Sequence, residues 1–183
     1  MPVSHHRHIS TIMNRLDLLW NDQKFVSVLD IGIGFGKYGM LVRERFDVRF
    51  KRYRKEDFQL IIDGVEIYSS YISMHSKFIY DEIYNTDICE LIPILSRYDV
   101  ILILECLEHI DKIKGIELIR QLKNKTNSLL ILSFPRSFKG NEGSDWPNKH
   151  ERHLCLWTKE DLESILGDVE QLSPTIFAKQ FGK

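Results

Sequence analysis

The chain has 183 residues, of which 43% are hydrophobic, and it carries 25 basic against 26 acidic side chains. This length fits one domain, 1–183, and leaves little room for a separate substrate domain, so an active site has to be built on the core fold. The charge balance argues against a protein devoted to nucleic acid or membrane surfaces, which usually shows a strong basic excess.

Strand-like and helix-like segments alternate along the chain, which predicts βαβ units around a parallel sheet. Apolar residues at helical spacing predict an amphipathic helix within residues 1–24. Strands are predicted at 25–31, 58–67, 78–84, 98–105 and 128–134, before an antiparallel hairpin of VEQLS and TIFAKQF around Pro174. Helices are predicted from the glycine-rich turn to Phe46, around 69–77, before Pro93, over 112–124 behind Asp111, and from the capping-box pair Thr158 and Asp161 to Leu166.

Two stretches break this alternation. Residues 47–57 (DVRFKRYRKED) form a basic insertion before the second strand, and residues 135–157 form a long loop after the fifth. Long loops in compact domains often carry function. The histidine-rich run from His5 to His8, in contrast, is predicted to be a solvated tail.

Cysteine usage and the apolar runs indicate the compartment. Cys89, Cys106 and Cys155 are widely spaced and form no CxxC pair, which supports neither a disulfide framework nor a cysteine-based zinc site. The apolar runs fall far short of the roughly 18 residues of a membrane span. The N-terminal sequence lacks the apolar segment of a secretory signal. We therefore expect a soluble cytoplasmic protein without a membrane partner.

The strongest motif is DIGIGFGKYG (30–39), between the first strand and the following helix. Glycines let the backbone approach a ligand closely, and the helix start offers amide donors. A Walker-type phosphate loop fits poorly because Lys37 precedes a tyrosine, whereas a dinucleotide fingerprint GxGxxG is literally present. The carboxylate of Asp30 would repel a pyrophosphate but suits an ammonium group, such as that of S-adenosylmethionine.

The arrangement Asp-x-Gly-x-Gly-x-Gly resembles motif I of the class I S-adenosylmethionine-dependent methyltransferases, and the resemblance extends over about residues 25–180. It implies an α/β, Rossmann-like fold: a seven-stranded, mostly parallel sheet with a C-terminal antiparallel hairpin and helices on both faces. It also implies S-adenosylmethionine as cofactor. The implied cofactor-binding residues are Asp30, Gly32, Gly34, Gly36, Glu66, Asp87, Ile88 and Glu105.

Two acids near the end of the second strand compete for the ribose hydroxyls. The insertion lengthens the gap from the glycine loop, so the sequence does not decide whether Asp63 or Glu66 is the ribose-binding acid. Glu66 has the position at the strand end where ligands bind. In the family, an acid at the position of Asp87 contacts the adenine amino group, and an apolar residue at that of Ile88 covers the ring. Asp87 also fits a simple helix N-cap.

The segment LECLEHI (104–110) resembles the E-x-x-E-H segment of small-molecule methyltransferases, including those of ubiquinone biosynthesis. The resemblance places Glu105 beside the methionine moiety and His109 near the acceptor. A histidine there can act as general base because its pKa is near neutrality. Alternatively, Glu108 and His109 merely begin the next helix.

The position of His153 before Trp157 and Thr158 is similar to that in small-RNA terminal 2′-O-methyltransferases. That similarity implies a second catalytic histidine and a divalent metal. Two features argue against it: Arg152 stands where that family has an aspartate, and only residues 49–55 are strongly cationic. The implied metal ligands are Glu105, Glu108, His109 and His153.

The sequence therefore predicts a methyltransferase acting on a small-molecule or peripheral acceptor, with O-methylation favoured over N-methylation. The N-terminal helix, the 47–57 insertion and the 135–157 loop are expected to form the acceptor pocket, with Phe138, Trp146 and Trp157 as candidate lining residues. For Trp157, a role in the hydrophobic core is an equally open alternative. One alternative is a metal-dependent RNA 2′-O-methyltransferase, with nucleic acid as the partner. The other is a non-catalytic regulator that binds S-adenosylmethionine.

Overall fold

A computed structural model describes residues 6–137 and 148–182. The helices are α1 (His8–Asp22), α2 (Lys37–Phe46), α3 (Met74–Ile79), α4 (Ile88–Leu91), α5 (Lys112–Lys125) and α6 (Lys159–Leu166). The strands are β1 (Ser27–Ile31), β2 (Ile61–Val65), β3 (Ile83–Tyr84), β4 (Tyr98–Leu104), β5 (Thr126–Ser133), β6 (Glu170–Ser173) and β7 (Ile176–Gln180). Within these ranges, no helix is both long and apolar enough to cross a bilayer.

The seven strands form one sheet in the order β3-β2-β1-β4-β5-β7-β6. The first five strands pair in parallel, and β7 runs antiparallel to both β5 and β6. The order reverses between β1 and β4, which is where ligands bind in open α/β sheets. This confirms the predicted Rossmann-like architecture with its closing hairpin.

Side chains alternate between the two faces of the sheet, so each central strand feeds two hydrophobic cores. One core joins α1, α2 and α3 to one face, through residues such as Leu16, Val42 and Ile79. The other joins α4, α5 and α6 to the opposite face, through residues such as Leu118 and Leu162. Helices therefore cover both faces, and the carboxyl edge of the parallel strands stays available for a site.

The predicted caps are confirmed. The Asp111 side chain accepts hydrogen bonds from the first turn of α5, and Thr158 and Asp161 form a capping box at α6. The third strand is shorter than predicted, because Phe78 and Ile79 end α3 rather than begin β3. The helix predicted around 69–77 is divided into a 3-10 turn at Ser69–Tyr71 and α3.

The predicted N-terminal tail needs correction at its last residue. His8 begins α1, and its side chain is only 12% exposed. Its Nε2 lies 2.9 Å from Oγ1 of Thr175, and its Nδ1 lies 3.8 Å from a carboxylate oxygen of Glu105. The start of α1 is therefore packed at the carboxyl edge of the sheet instead of being solvated.

Candidate active site

A cavity of about 490 Å³ opens at the carboxyl edge, where β1, β2 and β4 end. Its walls come from the glycine loop, the segments that follow β2, β3 and β4, and residues 148–154. Its ionisable lining residues are Asp30, Lys37, Glu66, Tyr71, Asp87, Glu105, Glu108, His109, Asp111, Lys114, His150, Glu151 and His153, together with Tyr38, Cys89 and Cys106.

The glycine loop takes the backbone conformations that its sequence requires. Gly32, Gly34 and Gly36 have φ angles of 76°, 51° and 81°, in the left-handed region that side chains disfavour. The N–H groups of Gly32 and Ile33 donate to the carbonyl oxygen of Val65, at 2.9 and 3.2 Å. The loop is thus fixed against the end of β2, with Gly32 and Gly34 lining the cavity.

Asp30 lies in β1 and is only 3% exposed. Its Oδ2 accepts a hydrogen bond of 2.6 Å from the Tyr80 hydroxyl, and the Gly39 backbone N–H also donates to its carboxylate. Burial nevertheless raises the pKa of Asp30 to about 6. A cationic ligand would favour the charged form, so the electrostatics of this position suit an ammonium group.

Glu66 lies in the cavity wall just after β2. Its two carboxylate oxygens accept hydrogen bonds of 2.9 Å from the backbone N–H groups of Gly34 and Tyr68. Burial raises its pKa. Asp63 instead accepts a hydrogen bond of 2.7 Å from the Tyr98 hydroxyl and is absent from the described cavity lining. Of the two acids that the sequence left open, Glu66 is the one facing the cavity.

Asp87 and Ile88 lie where the chain leaves β3. The Asp87 side chain accepts a hydrogen bond of 2.9 Å from the Cys89 N–H and so caps α4. The same side chain lines the cavity beside the buried Ile88. The two interpretations of Asp87 are therefore compatible, because capping uses one carboxylate oxygen.

Glu105 follows β4 in a left-handed backbone conformation, with φ at 51°. Such strain costs about 1–3 kcal/mol and persists where the surroundings enforce it. Ser133 enforces it here, because its carbonyl accepts from the Glu105 N–H and its hydroxyl donates to Oε1, both at 2.9 Å. Burial raises the pKa of Glu105, and the neighbouring Lys37 opposes that rise.

Glu108, His109 and His153 meet at the same side of the cavity, with one potential ligand atom from each within 4.8 Å of the others. Glu108 is 2% exposed, and within residues 6–137 and 148–182 its Oε2 has no hydrogen-bond partner. Burial raises its pKa well above the ordinary value, and Glu105 adds to that rise. Burial lowers the pKa of both histidines. Glu105, the fourth predicted ligand, is not part of this cluster.

Residues 148–154 form the outer wall. Asn148 begins a 3-10 turn over Lys149–Glu151 by accepting a hydrogen bond of 2.9 Å from the His150 N–H. The Leu154 N–H then donates to the Glu108 carbonyl at 2.7 Å. This hydrogen bond ties the wall to the segment after β4.

The predicted acceptor pocket is only partly where the sequence placed it. Trp157 is a core residue, 3% exposed, whose Nε1 donates to the Leu107 carbonyl at 3.1 Å. Phe138 and Trp146 lie outside the described residues. The 47–57 insertion contributes no residue to the described lining, because it follows the far end of α2 and leads into the opposite edge of the sheet. The prediction that it lines the pocket is therefore wrong.

Sequence reasoning missed three residues that shape the cavity: Lys37, Tyr80 and Ser133. Lys37 was visible as the residue after Gly36, but a lysine there matched only the Walker motif that was set aside. Tyr80 lies 50 positions from Asp30, and Ser133 lies 28 from Glu105. A single sequence contains no signal for such distant side-chain pairs.

Comparisons with known proteins give fold-level similarity. No family model matches the sequence. A search of curated proteins finds no match either. Among solved structures, the chain is similar to magnesium protoporphyrin IX methyltransferase from Synechocystis PCC 6803 with bound SAH, with a TM-score of 0.66 and 16% identity over 96% of this chain and 83% of that one.

Two further structures show the same similarity. One is the plantazolicin methyltransferase BpumL in complex with SAH, with a TM-score of 0.60 and 20% identity over 85% of this chain and 59% of that one. The other is the bifunctional kinase-methyltransferase WbdD, with a TM-score of 0.60 and 16% identity over 97% of this chain and 40% of that one. Identities this low establish a shared architecture.

Proposed function

From the class I S-adenosylmethionine-dependent methyltransferase fold of this chain, we propose that it transfers a methyl group from S-adenosylmethionine to a small-molecule or peripheral acceptor. The observation that carries the proposal is the convergence of four acids on one cavity beside the glycine loop. They are Asp30, Glu66, Asp87 and Glu105. A fold alone does not determine a function, so the proposal depends on the chemistry of these side chains.

The order of the four acids across the sheet, from β3 through β2 and β1 to β4, matches the order of the polar groups along such a cofactor, from adenine through ribose to the methionine part. Each Glu66 oxygen already accepts a hydrogen bond from one backbone N–H, and each can accept a further hydrogen bond from a ribose hydroxyl. Asp87 would accept from the adenine amino group, and Ile88 would cover the ring. Asp30 and Glu105 remain for the ammonium group of the methionine part.

When bound, the cofactor would supply an electrophilic methyl group on a sulfonium: the acceptor forms a bond to the methyl carbon in line as the carbon–sulfur bond breaks and S-adenosylhomocysteine leaves. The protein then has to align the acceptor, exclude water and remove a proton. His109 and His153 suit the last task, because burial lowers their pKa and keeps them in the proton-accepting form near pH 7. We propose them as the candidate bases, with a hydroxyl acceptor favoured.

The cofactor assignment is tested by calorimetric titration with S-adenosylhomocysteine. Asp30→Ala should raise the Kd by tenfold or more, as expected for loss of a hydrogen bond to a charged group. Gly34→Val should do the same, because a β-branched residue disfavours a φ of 51°.

Gly167→Val is a matched control, since Gly167 also has a positive φ but lies after α6 and is absent from the described cavity lining. It should lose stability and keep its affinity for S-adenosylhomocysteine. Unchanged affinity in both Asp30→Ala and Gly34→Val, or tighter binding of NAD by the wild type, would refute the site. Turnover on an acceptor separates an enzyme from a regulator that only binds the cofactor.

The Glu108, His109 and His153 cluster supports a second candidate, a divalent-metal-dependent methyltransferase acting on an RNA 2′-hydroxyl. One carboxylate and two imidazoles are a suitable ligand set for a divalent transition metal, and the buried Glu108 Oε2 has no hydrogen-bond partner among the described residues. A metal there would lower the pKa of an acceptor hydroxyl. Among the described residues, the cavity lining has seven acidic side chains against two lysines, which does not suit a polyanionic RNA, so this candidate ranks second.

Manganese titration of the wild type and of Glu108→Ala distinguishes the two candidates. The metal-dependent candidate predicts turnover that requires manganese or magnesium and is lost in Glu108→Ala. Glu151→Ala is the matched control, because Glu151 lines the same cavity outside the three-residue cluster. Turnover that persists after divalent metals are removed with a chelator would contradict the metal-dependent candidate and support the metal-independent enzyme.

A further inference from the structure

Lys37 is a cation placed where a cation is costly. It is the first residue of α2, and the positive end of a helix dipole disfavours a lysine there. Its side chain reaches the cavity, and burial lowers its pKa. The negative charge of Glu105 offsets part of this cost.

We propose that Lys37 binds the carboxylate of the methionine part of the cofactor. In this arrangement Lys37 and Glu105 together recognise an amino-acid zwitterion. This inference rests on the proposed function, because it assigns a residue within the same cofactor site.

The position of Lys37 relative to the acids supports this division of roles. Asp30 is held by Tyr80 and Gly39, and Glu105 is held by Ser133, so both carboxylates have fixed positions. Both would attract the ligand ammonium and repel its carboxylate. Lys37 lines the same cavity as Glu105, near enough for their charges to interact, and it follows the glycine loop directly. It therefore supplies the positive charge that the other end of the zwitterion requires.

The second lysine in the described lining, Lys114, does not suit this role. It lies in α5, and its charge acts on the thiol of Cys89, beyond β3, rather than on Glu105. That region follows Asp87 and Ile88, which we assign to the adenine. Lys37 and Lys114 are thus at different ends of the proposed ligand, which makes Lys114 a matched control.

The experiment compares three ligands by calorimetry: S-adenosylhomocysteine, its decarboxylated analogue, and 5′-methylthioadenosine, which lacks the whole amino-acid part. The wild type should prefer S-adenosylhomocysteine over the decarboxylated analogue by about tenfold to a hundredfold, the range for a hydrogen bond between charged groups. Lys37→Met should abolish this preference and leave the affinity for 5′-methylthioadenosine unchanged. Lys37→Arg should restore most of the preference, and Lys114→Met should retain it.

Each outcome has a distinct meaning. If the wild type binds none of the three ligands, the proposed function fails. If it binds S-adenosylhomocysteine and the decarboxylated analogue equally, the role of Lys37 is refuted without any variant that has to fold. The role is also refuted if Lys37→Met keeps the preference, or if it changes only the KM for the acceptor.

Discussion

The cavity consists of two halves that treat their buried acids differently. In the β1–β2 half, Asp30 and Glu66 each accept two hydrogen bonds from the protein. In the β4 half, formed by residues 105–109 and 148–154, Glu108 keeps a buried oxygen that no described residue pairs by a hydrogen bond. Both halves lie at the same sheet edge, and Asp30, Glu66 and Glu108 are similarly buried, so the contrast between these acids comes from the hydrogen bonds.

This difference separates a preformed surface from an incomplete one. Acids that are already hydrogen-bonded have fixed positions, and a ligand that meets them loses little free energy in ordering the site. A buried polar atom without a partner costs about 1–3 kcal/mol, and more when it is charged. The β4 half therefore carries a cost that a proton, a metal or an acceptor group has to relieve, as expected where chemistry occurs.

The largest effects should come from two matched glycines, one under each half. A side chain at Gly39 would overlap the ring of Tyr80, which holds Asp30, and one at Gly115 would overlap Trp157, which holds the Leu107 carbonyl. Alanine at either position should lower the free energy of unfolding by about 1–3 kcal/mol in urea titrations.

Ligand binding should separate the two variants. Gly39→Ala should weaken the binding of S-adenosylhomocysteine by tenfold or more. Gly115→Ala should change that affinity by less than about threefold and lower turnover instead. Equal losses of S-adenosylhomocysteine affinity in the two variants would show that the halves are not independent.

A second effect should appear in the pH dependence of stability in the β1–β2 half. Asp30 has a pKa of about 6 in the folded protein against 3.8 ordinarily, so the folded state holds this proton more tightly than the unfolded state. Its contribution to stability is complete below pH 3.8 and is lost as the pH rises through 6. The loss is roughly 3 kcal/mol at most.

Thermal unfolding of the ligand-free protein between pH 4 and 7 measures this contribution. The wild type should lose more stability than Asp30→Asn over this interval, because the asparagine does not titrate. Other cavity acids with raised pKa act in the same direction, so the difference between the two proteins isolates Asp30. Parallel profiles for the two proteins would contradict the assignment.

The sequence predicted the β1–β2 half better than the β4 half, for a physical reason. Glycine φ angles and a strand-end acid are local requirements, and they place Gly32, Gly34 and Glu66 correctly at the cavity. The hydrogen bonds that fix the acids come from distant residues, such as Tyr80 and Ser133, and only tertiary packing brings them together.

The same distinction explains the errors in the fold. The run FIYDEIY has strand-like composition, but Ser73 caps a helix that extends to Ile79, and packing of that helix overrides the local preference. The 47–57 insertion is rich in basic residues, which suggested a functional role. The buried Asp47 nevertheless forms ion pairs with Arg43 and Arg52 and holds the insertion at the amino edge of the sheet. Composition indicated that the stretch is unusual but not which edge of the sheet it occupies.

The smallest and most discriminating effect should come from exchanging one carboxylate for an amide in each half. Glu66→Gln should destabilise the ligand-free protein by about 1 kcal/mol, because both oxygens accept backbone N–H groups and an amide offers only one oxygen. Glu108→Gln should instead leave stability unchanged or raise it by about 1 kcal/mol, since burial already disfavours the ionised carboxyl and an amide gives up no hydrogen bond at Oε2. Urea denaturation at pH 7 measures both. If Glu108→Gln destabilises as much as Glu66→Gln, Glu108 already has a partner that completes the β4 half, and the contrast between the halves fails.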